Sequence, residues 1–255
     1  MLFSSDENAN TAVGELRVVE LEWDGPVAIL TINRPAARNA ISLATMDQLG
    51  EALDAADGAG CLVVTGAGDR AFVSGGDLKE LSALRTEDEA AAMARRMRAI
   101  CDRLAAFPAP VVAAVNGHAL GGGAEFAVAA DIRVAADDIR IGFTQVTLAI
   151  MPAWGGAERL AELVGPGRAL LLAGSGEVLT AAEAERIGLV DRVLPRASFD
   201  DEWRALAASL ASRPAGEIKR VIRGVPATEA VSAFARLWVS DEHWAAADRA
   251  LNRAR

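Results

Sequence analysis

Tyrosine is absent from this 255-residue chain, which excludes any mechanism resting on an active-site tyrosine. Cysteine and histidine are scarce: Cys61 and Cys101, His118 and His243. Two cysteines make no disulfide framework, and two histidines give a His/Cys metal site little to build on. Cys61 falls in an apolar strand-like run and Cys101 in a helical one. Both read as reduced packing residues, and no metal is expected. Basic charge is also short. Lys and Arg number 26 against 35 Asp and Glu, for a net charge of −9 and a pI near 4.9. That balance argues against nucleic acid as a partner, although a local group of cations can still hold an anionic ligand. No uninterrupted apolar run is flanked as a membrane span should be. The opening MLFSSDENANTAVGE has neither a positive n-region nor an apolar h-region. Residues 1–14 therefore read as a disordered lead-in and not as a signal peptide. A cytoplasmic protein without membrane contact is the expectation.

What is present is an ordinary soluble composition, 52% hydrophobic and 24% charged, in a chain long enough for one sizeable core. Apolar β-branched runs alternate with amphipathic segments. Val27–Ile32 reads as a strand ended by Asn33–Arg34–Pro35. Ser42 is the expected N-cap of a helix through Ala56, with Met46, Leu49 and Leu53 on one face. Leu62–Thr65 and Val111–Val115 are further strands. Glu87–Phe107 is a long helix stopped by Pro108, its Met93, Met97, Ile100 and Leu104 stripe facing the core. Ile132–Val134 and Ile139–Phe143 continue the strand pattern. From Gly155 the chain is mostly helical, with a long final stretch from Thr228. This gives an α/β core over 15–195 and a helical region over 196–255. The Trp238, Trp244 and Leu251 face is read as packing on the protein's own core rather than on a second subunit.

The segment His118–Ala119–Leu120–Gly121–Gly122–Gly123–Ala124–Glu125 carries the most chemistry. Three glycines stand between a strand and the helix-like run Phe126–Ala130. Glycines there let backbone N–H groups approach a ligand, and a helix N-terminus adds positive potential. Such a turn can hold negative charge developing on oxygen. Glu125 stands beside it as a candidate proton carrier. A tight turn, close helix packing, or a carboxylate placed on the helix dipole would each explain part of the same pattern.

Four segments in order resemble the enoyl-CoA hydratase/isomerase (crotonase) superfamily. Asn33–Arg34–Pro35 with Arg38–Asn39–Ala40 is similar to its first strand-to-helix junction. Ala71–Phe72–Val73–Ser74–Gly75–Gly76–Asp77–Leu78 is similar to its "AFSAGxDL" loop. Pro110 through Glu125 matches its "PVVAAVNGxxLGGGxE" signature. Ile150–Met151–Pro152–Ala153–Trp154–Gly155–Gly156 with Arg159–Leu160 matches "IPxxGGTxRL". The resemblance implies an α/β spiral of ββα repeats with a C-terminal helical oligomerisation region, giving homotrimers or homohexamers. It implies acyl-CoA thioester substrates and no cofactor beyond the coenzyme A the substrate carries. It also implies that Gly76 and Gly122 are the oxyanion donors and Glu125 the acid/base. Arg38 and Lys79 become candidates for the coenzyme A phosphates, and Ser74 and Gly76 for its adenine. Asp77 either braces the loop or touches substrate.

One position departs from the pattern. Family hydratases use two carboxylates, and the second falls on Gln145 here. An amide oxygen can orient a water but cannot exchange its proton near neutral pH. Glu158, further along, reads as a solvated surface charge. Hydration of 2-enoyl-CoA is the leading expectation. Decarboxylation of a short malonyl-type thioester and double-bond isomerisation are the alternatives open to Glu125 alone. Pro152–Ala153–Trp154–Gly155–Gly156 and the GGGAEF wording resemble the ethylmalonyl-CoA decarboxylase-like branch. A non-catalytic acyl-CoA binder is the reading from outside enzymology.

Overall fold

A computed structural model of the protein describes residues 17–253, so the expected lead-in over 1–14 lies outside the described residues. The chain starts with an antiparallel pair, β1 (Val19–Asp24) and β2 (Val27–Ile32), turned at Gly25 with φ 56°. The sequence reading missed β1. Its residues VELEWD are half charged, because one face of this edge strand meets solvent and the other is covered only toward Val19. Helix α1 (Leu43–Ala55) follows, with Ser42 as its N-cap in a reciprocal capping box with Thr45.

From here each pair of strands splits between two sheets. β3 (Cys61–Gly66) enters a six-stranded sheet, and β4 (Ala71–Val73) enters a four-stranded one. Helices α2 (Leu78–Leu81) and α3 (Glu87–Ala105) close that turn of the spiral. β5 (Val111–Val115) and β6 (His118–Leu120) repeat the split and lead into α4 (Gly122–Ala127). β7 (Ile132–Ala136) and β8 (Arg140–Gly142) repeat it again. The large sheet runs β1-β2-β3-β5-β7 and ends in a later strand, β10. Its central members pair in parallel and are buried throughout, so they read as unbroken apolar runs. The strands of the small sheet have three residues each, too short for any periodicity to register.

The helical half begins with α5 (Gly156–Val164) and α6 (Pro166–Ser175). Strand β9 (Val178–Thr180), α7 (Ala181–Arg186) and β10 (Arg192–Leu194) then complete the sheets. α8 (Phe199–Leu210) buries Phe199, Trp203 and Ala207 against the core. α9 (Arg213–Ile222), not anticipated from sequence, is tied down by Lys219, whose ammonium reaches Asp131 at 2.6 Å and the Ala109 carbonyl at 3.0 Å. The final stretch is two helices, α10 (Ala227–Trp238) and α11 (Asp241–Arg253), broken at Val239–Ser240. The apolar face there does not pack on the core. Trp238 is 46% exposed and Phe234 60%, and Trp238 packs against its own neighbours Phe234, His243 and Trp244. The reason is geometric. α10 packs on α9 and α11 and buries Ala233, which leaves the larger apolar side chains exposed.

Candidate active site

Each glycine of the triple has its own task. Gly121 holds φ 55° and ψ −120°, a conformation essentially confined to glycine, and it turns the chain out of β6. The helix then begins at Gly122, earlier than the run Phe126–Ala130 suggested. A Cβ on Gly122 would collide with the Trp154 indole, and one on Gly123 with the Val73 carbonyl. Close packing, an alternative weighed above, is thus part of the explanation. It serves to bring α4 against β4 and the loop that follows.

That loop carries Gly76. Ile41 donates its N–H to the Gly75 carbonyl at 2.8 Å, and Asp77 donates to the Ile41 carbonyl at 2.8 Å. These bonds use the groups flanking Gly76, so the Gly76 N–H faces away from Ile41. Gly75 backs directly onto the Gly122 nitrogen, which a Cβ at Gly75 would approach to 3.2 Å. The Gly122 N–H opens α4 and has no partner inside the helix. Two segments far apart in sequence thus meet, the Gly75–Gly76 turn lying against the N-terminus of α4. The loop is braced from behind. Arg34 pairs with Asp77 at 2.8 Å, holding that carboxyl below its ordinary range. Asn39, 1% exposed, donates to the Ala71 carbonyl at 2.7 Å. Asp77 therefore braces the loop.

Glu125 is 2% exposed. Its Oε2 accepts from the Trp154 N–H at 2.7 Å and the Gly156 N–H at 3.0 Å. Its Oε1 accepts from Gln145 Nε2 at 2.8 Å. Burial pushes the carboxyl above its ordinary value, and these three donors pull it down without cancelling the effect. Gly156 is the complement of this arrangement, since a Cβ there would lie 2.8 Å from Glu125 Oε2 and collide with Cγ. Gln145 is also buried, and its Oε1 has no hydrogen-bond partner among the described residues. A carboxyl with a raised pKa thus stands beside an idle acceptor, a pair that can take up a proton and give it back.

Residues 22–233 match the profile described as "Enoyl-CoA hydratase/isomerase". The chain belongs to the enoyl-CoA hydratase/isomerase family. It is 39% identical to a crotonyl-CoA hydratase from Syntrophomonas wolfei over 199 residues, 76% of this chain and 75% of that one. It is 37% identical to a probable enoyl-CoA hydratase from Bacillus subtilis, over 78% of each chain. A crystal structure of an enoyl-CoA hydratase from Bacillus anthracis superposes with a TM-score of 0.82 at 30% identity, covering 94% of this chain and 97% of that one. The α/β spiral with helical C-terminus is the crotonase fold.

Other expected site residues of this crotonase divide. Arg38 and Ser74 line one cavity of about 570 Å³, together with Arg70, His118 and Arg196. Lys79 is exposed on α2 and does not line it. Glu158 is a surface charge paired with Arg98 at 2.8 Å. Cys61 and Cys101 are buried and their thiols pushed up to about 12, which leaves them protonated and unreactive near neutrality. Sequence reasoning missed Trp154 and Gly156 as site residues. Their signal was present in the matched "IPxxGGTxRL" segment, but nothing local says that it folds onto Glu125.

Proposed function

We propose that this crotonase hydrates 2-enoyl-CoA thioesters. The observation that carries the reading is the buried Glu125 carboxylate on the helix that Gly122 opens, with the Gln145 side chain hydrogen-bonded to it. Gly76 and Gly122 donate to the thioester oxygen as it becomes an enolate. Gln145 Oε1 accepts from a water, and Glu125 takes that water's proton as its oxygen bonds to Cβ. The same proton is then returned to Cα, so one carboxyl serves both transfers and H and OH add across the double bond. The hydratase names of the relatives support this assignment.

Arg38 and Lys79 are proposed contacts for the coenzyme A phosphates, with Ser74 and Gly76 near the adenine. The cations around the Arg38 cavity support Arg38, whereas Lys79, outside that cavity, rests on the family resemblance alone. The exposed faces of α10 and α11 support homotrimers or homohexamers, and two reduced cysteines suit a cytoplasmic setting. Crotonyl-CoA hydration tests the function. The protein should turn over, Glu125→Gln should lose about 10²- to 10⁴-fold, and Gln145→Glu should retain activity. Absence of wild-type turnover would overturn the reading.

The missing second carboxylate favours one alternative, decarboxylation of a malonyl-type thioester, in which Glu125 has only to protonate the enolate left by loss of CO₂. Turnover of such a thioester in place of crotonyl-CoA would select it. Acyl-CoA binding with neither activity would select the non-catalytic binder.

A further inference from the structure

Trp154 is tied to both halves of the site at once. Its backbone N–H donates to Glu125 Oε2 at 2.7 Å. Its indole lies against Gly122, where a Cβ would strike Cζ3 and Cη2, and reaches to 4.0 Å from the Cβ position of Gly76. The six-membered ring thus spans the two glycines proposed to hold the thioester oxygen. Leu81 meets Gly76 on the same side, its Cδ1 2.8 Å from where a Cβ would stand. Trp154 is only 6% exposed, and its carbonyl accepts from Arg159 at 3.2 Å, which pins the backbone on both sides.

This geometry bears on which acyl groups fit, given the reading of Gly76, Gly122 and Glu125 above. With the carbonyl oxygen at the two glycines, Cα and Cβ must come within about 3–3.5 Å of the groups that react with them. Those groups surround a carboxylate bonded to the Trp154 N–H. We infer that carbons beyond Cβ meet the indole, so that Trp154 limits acyl length and confines the site to short-chain thioesters. A large flat ring held at 6% exposure cannot yield space as a flexible aliphatic side chain does. Discrimination by such a wall amounts to about 10- to 200-fold for a single methylene.

The test compares wild type with Trp154→Ala, Trp154→Leu and Trp154→Phe. Every substitution keeps the backbone N–H to Glu125. Folding is checked by circular dichroism and thermal melting, and the Leu and Phe variants keep apolar bulk in case the Ala variant does not fold. Binding of butyryl-CoA and octanoyl-CoA, both unreactive in hydration, is measured by calorimetry. Hydration of crotonyl-CoA and 2-octenoyl-CoA is measured alongside. The expected result is a preference for octanoyl-CoA over butyryl-CoA at least about 10-fold greater in the folded variants than in wild type, largest for the smallest side chain. A ratio unchanged within about threefold in the folded variants overturns the inference. If wild type fails to hydrate crotonyl-CoA, the hydratase reading falls, while the binding ratio still decides the role of Trp154.

Discussion

Glu125 is the residue on which electrostatics and packing disagree most. The site keeps a carboxylate where burial favours the acid, so its charge costs stability. The folded state binds this proton more tightly than the unfolded chain. Its contribution is therefore favourable below the ordinary value of 4.5 and is lost as pH rises through the raised folded value. Glu125→Gln should be more stable than wild type near neutral pH, with the advantage shrinking as pH falls toward 4.5, read from melting temperatures across pH. For hydration the sign is opposite. Glu125 must accept a proton, so kcat/KM should fall on the acid side, with its inflection above 4.5. Gly156→Ala tests the space beside the same carboxyl. Its Cβ would collide with Glu125, so we expect a loss of about 1–3 kcal/mol in chemical denaturation together with a fall in kcat. Gly122, Gly123 and Glu125 could be picked out in the chain because they are consecutive and chemically distinctive. Trp154 could not, because an aromatic residue in a loop has many reasons to be there, and only the fold puts it over Gly122.

Among the elements, local chemistry translated well at α1, whose capping signal stands directly before its apolar face. Ser42 opens α1 as expected, and its hydroxyl meets the Thr45 N–H at 3.1 Å. Ser42→Ala should cost about 0.5–2 kcal/mol, measured by urea unfolding, while leaving the oxyanion loop in place. The central strands were legible because parallel strands buried on both faces are apolar throughout. β1 was not legible, since an edge strand with one wet face shows no apolar run. In the small sheet, β8 falls within the expected strand Ile139–Phe143, whereas β4, β6 and β9 escaped for another reason. They contribute few residues each and are held by partners from other turns of the spiral, information no local window contains.

Across the whole molecule, the feature calling for a partner is the C-terminal face. Phe234, Trp238, Trp244 and Leu251 are exposed together, and Val231 and Val239 extend the patch. Scattered apolar residues need no explanation, but a contiguous patch marks an interaction surface. A second copy of the chain is the occupant proposed above. Trp238→Glu should lower the molar mass measured by light scattering during gel filtration, with the fold retained by circular dichroism. An unchanged mass would rule out this face as the subunit contact.

By itself the sequence determined the central strands and the capped helix α1, the family, and Gly76, Gly122, Glu125 and Gln145 as candidate site residues. It did so because periodicity, caps and consecutive motif residues are local properties. The tertiary structure alone decided which distant residues share a space. It set Gly76 beside Gly122, left Gln145 Oε1 without a partner, laid the Trp154 indole across the glycines, and turned the C-terminal aromatics outward. Those outcomes depend on steric exclusion and burial between segments distant in the chain, which exist only once the spiral has closed.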